Sequence, residues 1–206
     1  MRSPNCAYCR TKPCSRNPEA IKPNICPMVV YPEVVQNALS RYSGFVEEIH
    51  RTASLVEKEG YCTWPRLREI VEFARKLGLR RLGVAFCIGL SSEAEQVVKY
   101  FESKGFEVYS VCCKCGGVDK TRVGLSEDQK LTPGTHESMC NPVVQADLLN
   151  AVGTELNVVV GLCVGHDTLF IMHSKAPVTY LIVKDRVTGH NPAAAIYVQN
   201  YFRARL

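Results

Sequence analysis

Residues 157–167, Asn-Val-Val-Val-Gly-Leu-Cys-Val-Gly-His-Asp, constrain the fold more than any other stretch of the chain. Three consecutive β-branched apolar residues, Val158, Val159 and Val160, predict a short strand covered on both faces. Gly161 and Gly165 predict a backbone that turns tightly or leaves room for a bound group. Cys163, His166 and Asp167, each able to bind a metal or move a proton, fall where that strand ends.

A strand covered on both faces needs a layer of helix on each side, and the flanking sequence supplies it. Residues 82–88 and 106–113 read as strands. Between them, Ser92 with Glu95 predicts a capping box for a helix carrying Val97, Val98 and Phe101 as far as Gly105. Asn141 and Pro142 open a helix with Val144, Leu148 and Leu149 on it. A short helical piece follows over 169–173, then a fourth strand over 178–184, and Asn191 with Pro192 opens a last helix towards Phe202. Ahead of the strands, Val35, Leu39, Tyr42, Phe45, Val46, Ile49, Ala53 and Val56 recur at helical spacing. They predict one long helix over 32–58, stopped by Gly60. A second helix opens at Pro65, turns Leu67, Ile70, Val71, Ala74 and Leu77 inward, and ends at Gly78. The alternation implies an α/β fold, a Rossmann-like, mostly parallel sheet of about four strands with helices on both faces. In such folds every strand's C-terminal end meets one edge, and the ligand sits outside that edge.

Residues 1–31 form a separate Cys-rich segment before the helical lead-in and α/β domain of residues 32–206. Cys6, Cys9, Cys14 and Cys26 occur there in the spacing Cys-x2-Cys-x4-Cys-x11-Cys, among prolines 4, 13, 18, 23 and 27. The prolines argue against helix or sheet, and so little apolar content cannot hold a fold by burial. Four thiolates around one zinc ion or iron–sulfur cluster are the natural staple.

The sheet-edge rule gathers further cysteines. Cys87 ends the first strand, Cys112, Cys113 and Cys115 follow the second, and Cys163 follows the third. Cys140 precedes a helix N-terminus, where backbone N–H groups favour a thiolate. Cys87, Cys113, Cys140 and Cys163 are therefore the candidate ligands of a second metal site, with Cys115 the substitute for Cys113 if the chain turns early. Cys112 and Cys113 point to opposite faces while the strand persists. An all-cysteine set favours zinc or a 4Fe-4S iron–sulfur cluster over magnesium or calcium. His166, Asp167 and His190 are the candidate acid–base residues, although Asp167 also suits a helix cap. Lys184, Asp185, Arg186 and His190 could position an anionic substrate. The glycine-rich, polar connector over 114–139 is too long for a simple link, and His136 in it suits a lid.

Eleven cysteines in 206 residues point to metal ligation or redox chemistry rather than disulfides, given the cytoplasmic location expected from an N-terminus with no apolar run behind its charge. No segment approaches the ~20 apolar residues of a membrane span. A net charge of +5 without a long basic run makes nucleic acid an unfavoured partner. The P-loop, the Gly-x-Gly-x-x-Gly turn, His-Glu-x-x-His and Gly-x-Ser-x-Gly are all missing, which disfavours the commonest nucleotide, zincin and serine-hydrolase chemistries.

Several of these motifs carry a family likeness: Cys6-Ala-Tyr-Cys9 with Cys14 and Cys26-Pro27, Gly83-Val-Ala-Phe-Cys87, Met139-Cys140-Asn-Pro142, Gly161-Leu-Cys163-Val-Gly-His166-Asp167, and Lys184-Asp-Arg186 with Gly189-His-Asn-Pro192. On them the chain resembles the archaeal and bacterial metal-binding proteins grouped as domain of unknown function DUF1847. The resemblance implies metal binding and no settled reaction. Two classes of function follow. One is an iron–sulfur-dependent lyase, desulfurase or redox enzyme acting on a small anionic or sulfur-containing substrate. The other is a non-catalytic metal or redox carrier or sensor with a redox partner, or a zinc-stapled structural protein with buried thiols. Either is compatible with a homo-oligomer.

Overall fold

The computed structural model describes residues 4–17 and 19–204. The chain divides into two compact units, residues 1–55 and 56–206.

The first unit is built from turns and short helices. Cys6–Tyr8 and Pro13–Ser15 are single 3-10 turns, and helices α1 (Pro27–Val30) and α2 (Pro32–Leu39) follow. The expectation that prolines exclude helix here is corrected. Pro13, Pro27 and Pro32 each stand at the start of a turn or helix, where a missing N–H costs nothing and the fixed φ suits. A backbone bond from Asn5 N to Ile25 O, 3.0 Å, brings the two ends of the Cys-rich segment side by side. The single long helix predicted over 32–58 is two. After α2 the Ser40 hydroxyl donates to the Asn37 carbonyl at 2.8 Å, and Gly44 takes a left-handed φ of 55° before α3 (Phe45–Gly60) begins. Such a φ suits glycine and breaks the helical path. Helix α3 runs across the division between the units.

In the second unit α4 (Arg66–Lys76) follows Pro65 and buries Ile70, Val71 and Ala74. Four parallel strands follow, β1 (Arg81–Phe86), β2 (Glu107–Cys112), β3 (Leu156–Val160) and β4 (Val178–Ile182), in the order β2-β1-β3-β4. All five residues of β3 are buried, as the run of valines requires. Side chains alternate across the sheet. Leu82, Val84, Val158 and Val160 pack with α4 and with Ala94, Val97 and Phe101 of α5 (Ser91–Ser103). Ala85 and Val159 pack with Ala146 and Leu149 of α6 (Pro142–Ala151) and Phe170 of α7 (His166–His173). Each fully buried valine contributes on the order of 1.5–3 kcal/mol. The sheet is thus covered on both faces, as the sequence predicts.

A buried polar layer pins the register of β1 against β3. The Asn157 amide accepts from Thr154 Oγ1 at 2.8 Å and donates to Ser174 Oγ at 2.8 Å. A Cβ at Gly83, across the sheet, would stand 2.0 Å from Asn157 Oδ1, so only glycine fits there.

Two helix boundaries differ from expectation. No capping box opens α5; the Ser92 hydroxyl donates to Glu93 at 2.9 Å, and Glu95 pairs one turn on with Lys99. Exposed side chains found nearer partners than the helix terminus. The last helix is two pieces, α8 (Ala193–Tyr197) and α9 (Gln199–Phe202), because the backbone leaves helical dihedrals at the β-branched Val198. The Asn141 cap of α6 forms as predicted, its side chain accepting from Val144 N at 3.3 Å.

The connector over 114–139 is an ordered excursion with two 3-10 turns, Lys120–Val123 and Glu127–Gln129. Its hub is Asp119, which accepts from Thr121 N at 2.9 Å and Glu137 N at 2.8 Å and pairs with the buried Lys130 ammonium at 3.0 Å. Lys130 also donates to Glu127 at 2.7 Å and to the Thr135 carbonyl at 3.1 Å. The excursion leaves and rejoins the sheet at one point, where Asn141 N donates to Cys113 O at 2.7 Å.

Candidate metal centre

The strand order places a crevice at the C-terminal ends of β1 and β3. The chain leaves β1 towards β2 on one side and returns to β3 on the other. Such reversals leave the space outside the strand ends open to a ligand.

Four cysteines from four elements come to this edge. Cys87 follows β1 and is buried, its N–H bonded to Val160 O at 3.2 Å. Cys113 follows β2, is buried, and accepts from Ile88 N at 3.4 Å through its sulfur. Cys140, half-buried, precedes the Asn141 cap of α6. Cys163, half-buried, leads into α7, its carbonyl accepting from His166 N and Asp167 N at 3.0 and 3.1 Å. Cys87, Cys113 and Cys140 all pack on the cluster formed by Ala85, Val159 and Phe170. Arg186 Nη2 donates to Cys163 Sγ at 3.2 Å, and the guanidinium also lies within the field of Cys87 and Cys140. One cation therefore bonds one of the four sulfurs and acts through its field on two more.

Cys113 and Cys140 act on one another. The neighbouring Cys140 and burial push Cys113 up. Cys140 is held below the usual thiol range by the neighbouring Cys113, against burial, with the Lys114 ammonium and His166 adding to the effect. This is the arrangement of one thiol and one thiolate at a cationic edge, where neighbouring positive charge favours the sulfur anion.

The strand ends at Cys112, so alternation no longer separates Cys112 from Cys113, and both pack on the same cluster. Cys112 Sγ accepts from Lys114 N at 3.5 Å, whereas Cys113 reaches β1 through Ile88. Cys115 is half-buried in the turn beyond. Cys62 stands apart, exposed and at a left-handed φ of 56°.

In the first unit Cys6 and Cys9 share one 3-10 turn, closed by Cys9 N to Cys6 O at 3.1 Å. The Asn5–Ile25 backbone bond brings Cys26 alongside them, and Cys14 sits in the next turn. As the side chains are placed, no three of the His, Cys, Asp and Glu groups among the described residues stand close enough to hold one metal ion, in either unit.

The acid–base candidates separate. His166 opens α7 beside Cys140, and its Nδ1 is buried with no hydrogen-bond partner. Asp167, in the first turn of α7, accepts from Thr168 N at 2.8 Å, and burial and this carboxylate push the Tyr180 hydroxyl up to about 12. The cap position of α7 belongs to Gly165, not to Asp167. His190 is in the turn after β4, where its Nδ1 accepts from Asp185 N at 3.1 Å.

Two contributors were not read from sequence. Gln145 is fully buried on α6, its Nε2 donating to Phe86 O at 3.2 Å and Val111 O at 2.7 Å, so it ties the ends of β1 and β2 just before their cysteines. Its Oε1 has no partner. The signal was a lone polar residue in line with Pro142, Ala146 and Leu149 on the inner face of the helix. Lys114, whose ammonium acts on Cys140, carries no signal beyond its place next to Cys113.

A family model described as protein of unknown function (DUF1847) matches residues 26–181, which include Cys26 and all four sheet-edge cysteines. The chain belongs to this family. The DUF1847 match leaves Cys6, Cys9, Cys14 and His190 outside its span. Over its full extent the chain is similar to an uncharacterized protein of Methanocaldococcus jannaschii, 41% identical over 202 residues, which covers 98% of this chain and 97% of that relative. No solved structure matches.

Proposed function

We propose that this DUF1847 chain is a metal-thiolate protein whose sheet edge carries an iron–sulfur cluster or zinc on Cys87, Cys113, Cys140 and Cys163. What supports the reading is the position of four cysteines from four separate elements along the C-terminal edge of a parallel sheet, beside its switch point, with Arg186 bonded to Cys163 and in the field of Cys87 and Cys140. Buried cysteine alone is common, but thiols brought from distant parts of the chain to the ligand-binding edge are a donor set that soft metals take. Arg186 and Lys114 offset the negative charge that such a set accumulates. Cys6, Cys9, Cys14 and Cys26 form the second proposed site, a zinc or iron–sulfur staple for a unit with little buried apolar surface. His166, with its unpartnered buried Nδ1 beside Cys140, is the residue placed to hold or deliver a proton at the sheet edge.

Anaerobic purification followed by iron, zinc and acid-labile sulfide analysis tests the reading. Brown protein with about four irons and four sulfides per cluster supports the iron–sulfur form. Zinc lost on Cys163→Ser supports the zinc form at the sheet edge. Metal content unaltered by Cys163→Ser and Cys140→Ser refutes the sheet-edge site. A second reading, a thiol redox carrier, rests on Cys113 and Cys140 packing on one cluster with their pKa values pushed in opposite directions. It is favoured if the protein is free of metal at this edge and those two cysteines form a reversible disulfide.

A further inference from the structure

The turn after β4 brings three hydrogen-bond donors to the edge beside Cys163. Lys184 crosses the strand ends: a Cβ at Gly89 would stand 3.1 Å from its Nζ, and one at Gly161 would stand 3.5 Å from its Cδ. Gly89, after β1, gives the ammonium its clearance. Arg186 uses Nη2 on Cys163 and keeps its other donors for a further partner. Among the described residues neither Lys184 nor Arg186 has a carboxylate within salt-bridge distance, although Glu93 lies within the field of Lys184 and His190.

His190 is held in a form that donates. Its backbone has a left-handed φ of 68°, a region histidine enters more readily than most side chains. It is held there from both ends: His190 N donates to Asp185 O at 2.8 Å, and Asp185 N donates to the ring Nδ1 at 3.1 Å. Nδ1 is therefore an acceptor, and the ring proton resides on Nε2. The Asp185 carboxylate points its bonds into the turn, accepting from Val187 N at 2.9 Å and Thr188 N at 3.2 Å rather than pairing with Lys184 or Arg186.

We propose that Lys184, Arg186 and the Nε2–H of His190 form a binding site for a small carboxylate ligand beside Cys163. Two cations of different shape and one neutral donor fit a delocalised two-oxygen anion, with Arg186 able to engage both oxygens. The site deepens the metal-thiolate reading, since the ligand's remaining atoms would lie over the cysteines, yet its donors belong to the chain and bind with or without metal.

The test is calorimetric titration of the full chain with oxalate, in metal-loaded and chelator-treated samples, against chloride at matched ionic strength and against inorganic phosphate. Oxalate is expected to bind above the chloride background, and Lys184→Gln, Arg186→Gln and His190→Asn each to weaken it about tenfold or more. Asn is chosen at 190 because it tolerates a left-handed backbone. Far-UV circular dichroism checks that each variant is folded. Lys184→Gln is the decisive arm, because among the described residues this side chain makes no hydrogen bond to a cysteine. Oxalate binding no better than chloride, weaker than phosphate, or unaltered in the folded Lys184→Gln variant overturns the proposal. Binding without any metal in the native protein refutes the metal reading and leaves this one standing; metal without oxalate binding does the reverse.

Discussion

Replacing Gln145 by Glu substitutes one atom, and its cost can be worked from the geometry. The Gln145 Nε2 donates to Phe86 O at 3.2 Å and to Val111 O at 2.7 Å, in a position with no solvent exposure. A carboxylate there would set an anionic oxygen against two carbonyl oxygens, which burial makes prohibitive, so the residue folds protonated and donates one O–H in place of two N–H bonds. Protonation limits the penalty. At about pH 7 it is capped near 4 kcal/mol, the cost of protonating a carboxyl whose unfolded pKa is about 4.3, plus ~1 kcal/mol for the lost bond. At about pH 5 the protonation cost shrinks to about 1 kcal/mol. The sign follows: a carboxyl with a raised folded pKa is favourable when protonated, and stability falls as pH rises above the unfolded value. Gln145→Leu, which lacks the charge, loses only ~1–2 kcal/mol with no such pH dependence. Urea denaturation of wild type and both variants at the two pH values reads this directly. Were Gln145→Glu as stable as wild type near neutrality, or its deficit independent of pH, the account of this amide as the tie between the two strand ends would be wrong.

Other consequences are simpler to state. Gly161→Ala places a Cβ 2.0 Å from Leu90 Cδ1 at a backbone φ of 70°, and is expected to cost about 2–4 kcal/mol in a denaturant titration. Chelator-treated protein exposed to limiting iodoacetamide near neutral pH should be alkylated at Cys140 well before Cys113, because the first is held below the thiol range and the second above it; peptide mass mapping with the reverse order contradicts these opposite shifts. Asp119, Glu127 and Glu137 all have folded pKa values below their ordinary range, Asp119 through the Thr121 and Glu137 N–H groups and the other two first through Lys130 and Lys120. Their contribution is present above the unfolded carboxyl pKa and lost as pH falls through the folded values, so proteolytic cleavage within 114–139 should accelerate on acidification below about pH 4.

The sheet was legible because its strands are apolar runs broken by turn residues, and β3 stands out with three valines before Gly161. Once the strands alternate with helices, the placing of Cys87, Cys113 and Cys163 after strand ends, and of Cys140 before a helix, along one edge follows from topology, without knowledge of side-chain packing. What was hidden depends on short-range competition. Ser92 and Glu95 have the spacing of a capping box, but Glu93 and Lys99 are better placed to receive them. Prolines mask the first-unit helices because the residue that ends most helices also starts them well. The cations were the least visible part of the site. Lys114 carries no sequence signal, and Arg186 reads in sequence as an anion-positioning group; only the path of the chain after β2 and after β4 turns them towards the sulfurs.

The base of the excursion between Cys113 and Cys140 is closed by the bonds from Asn141 N to Cys113 O and from Met139 N to Val118 O and by Lys114 Nζ on Ser138 O. A group that bridged those two sulfurs would act as a padlock there, adding a firmer closure to a few hydrogen bonds. Occupancy deep in the crevice would thereby become readable on the outer surface of the protein, as a change in how readily the Asp119–Lys130 knot opens to solvent. Chain cuts or grafted sequence inside the excursion should leave the four strands paired, which makes this segment a place where a reporter could be installed without touching the site it reports on.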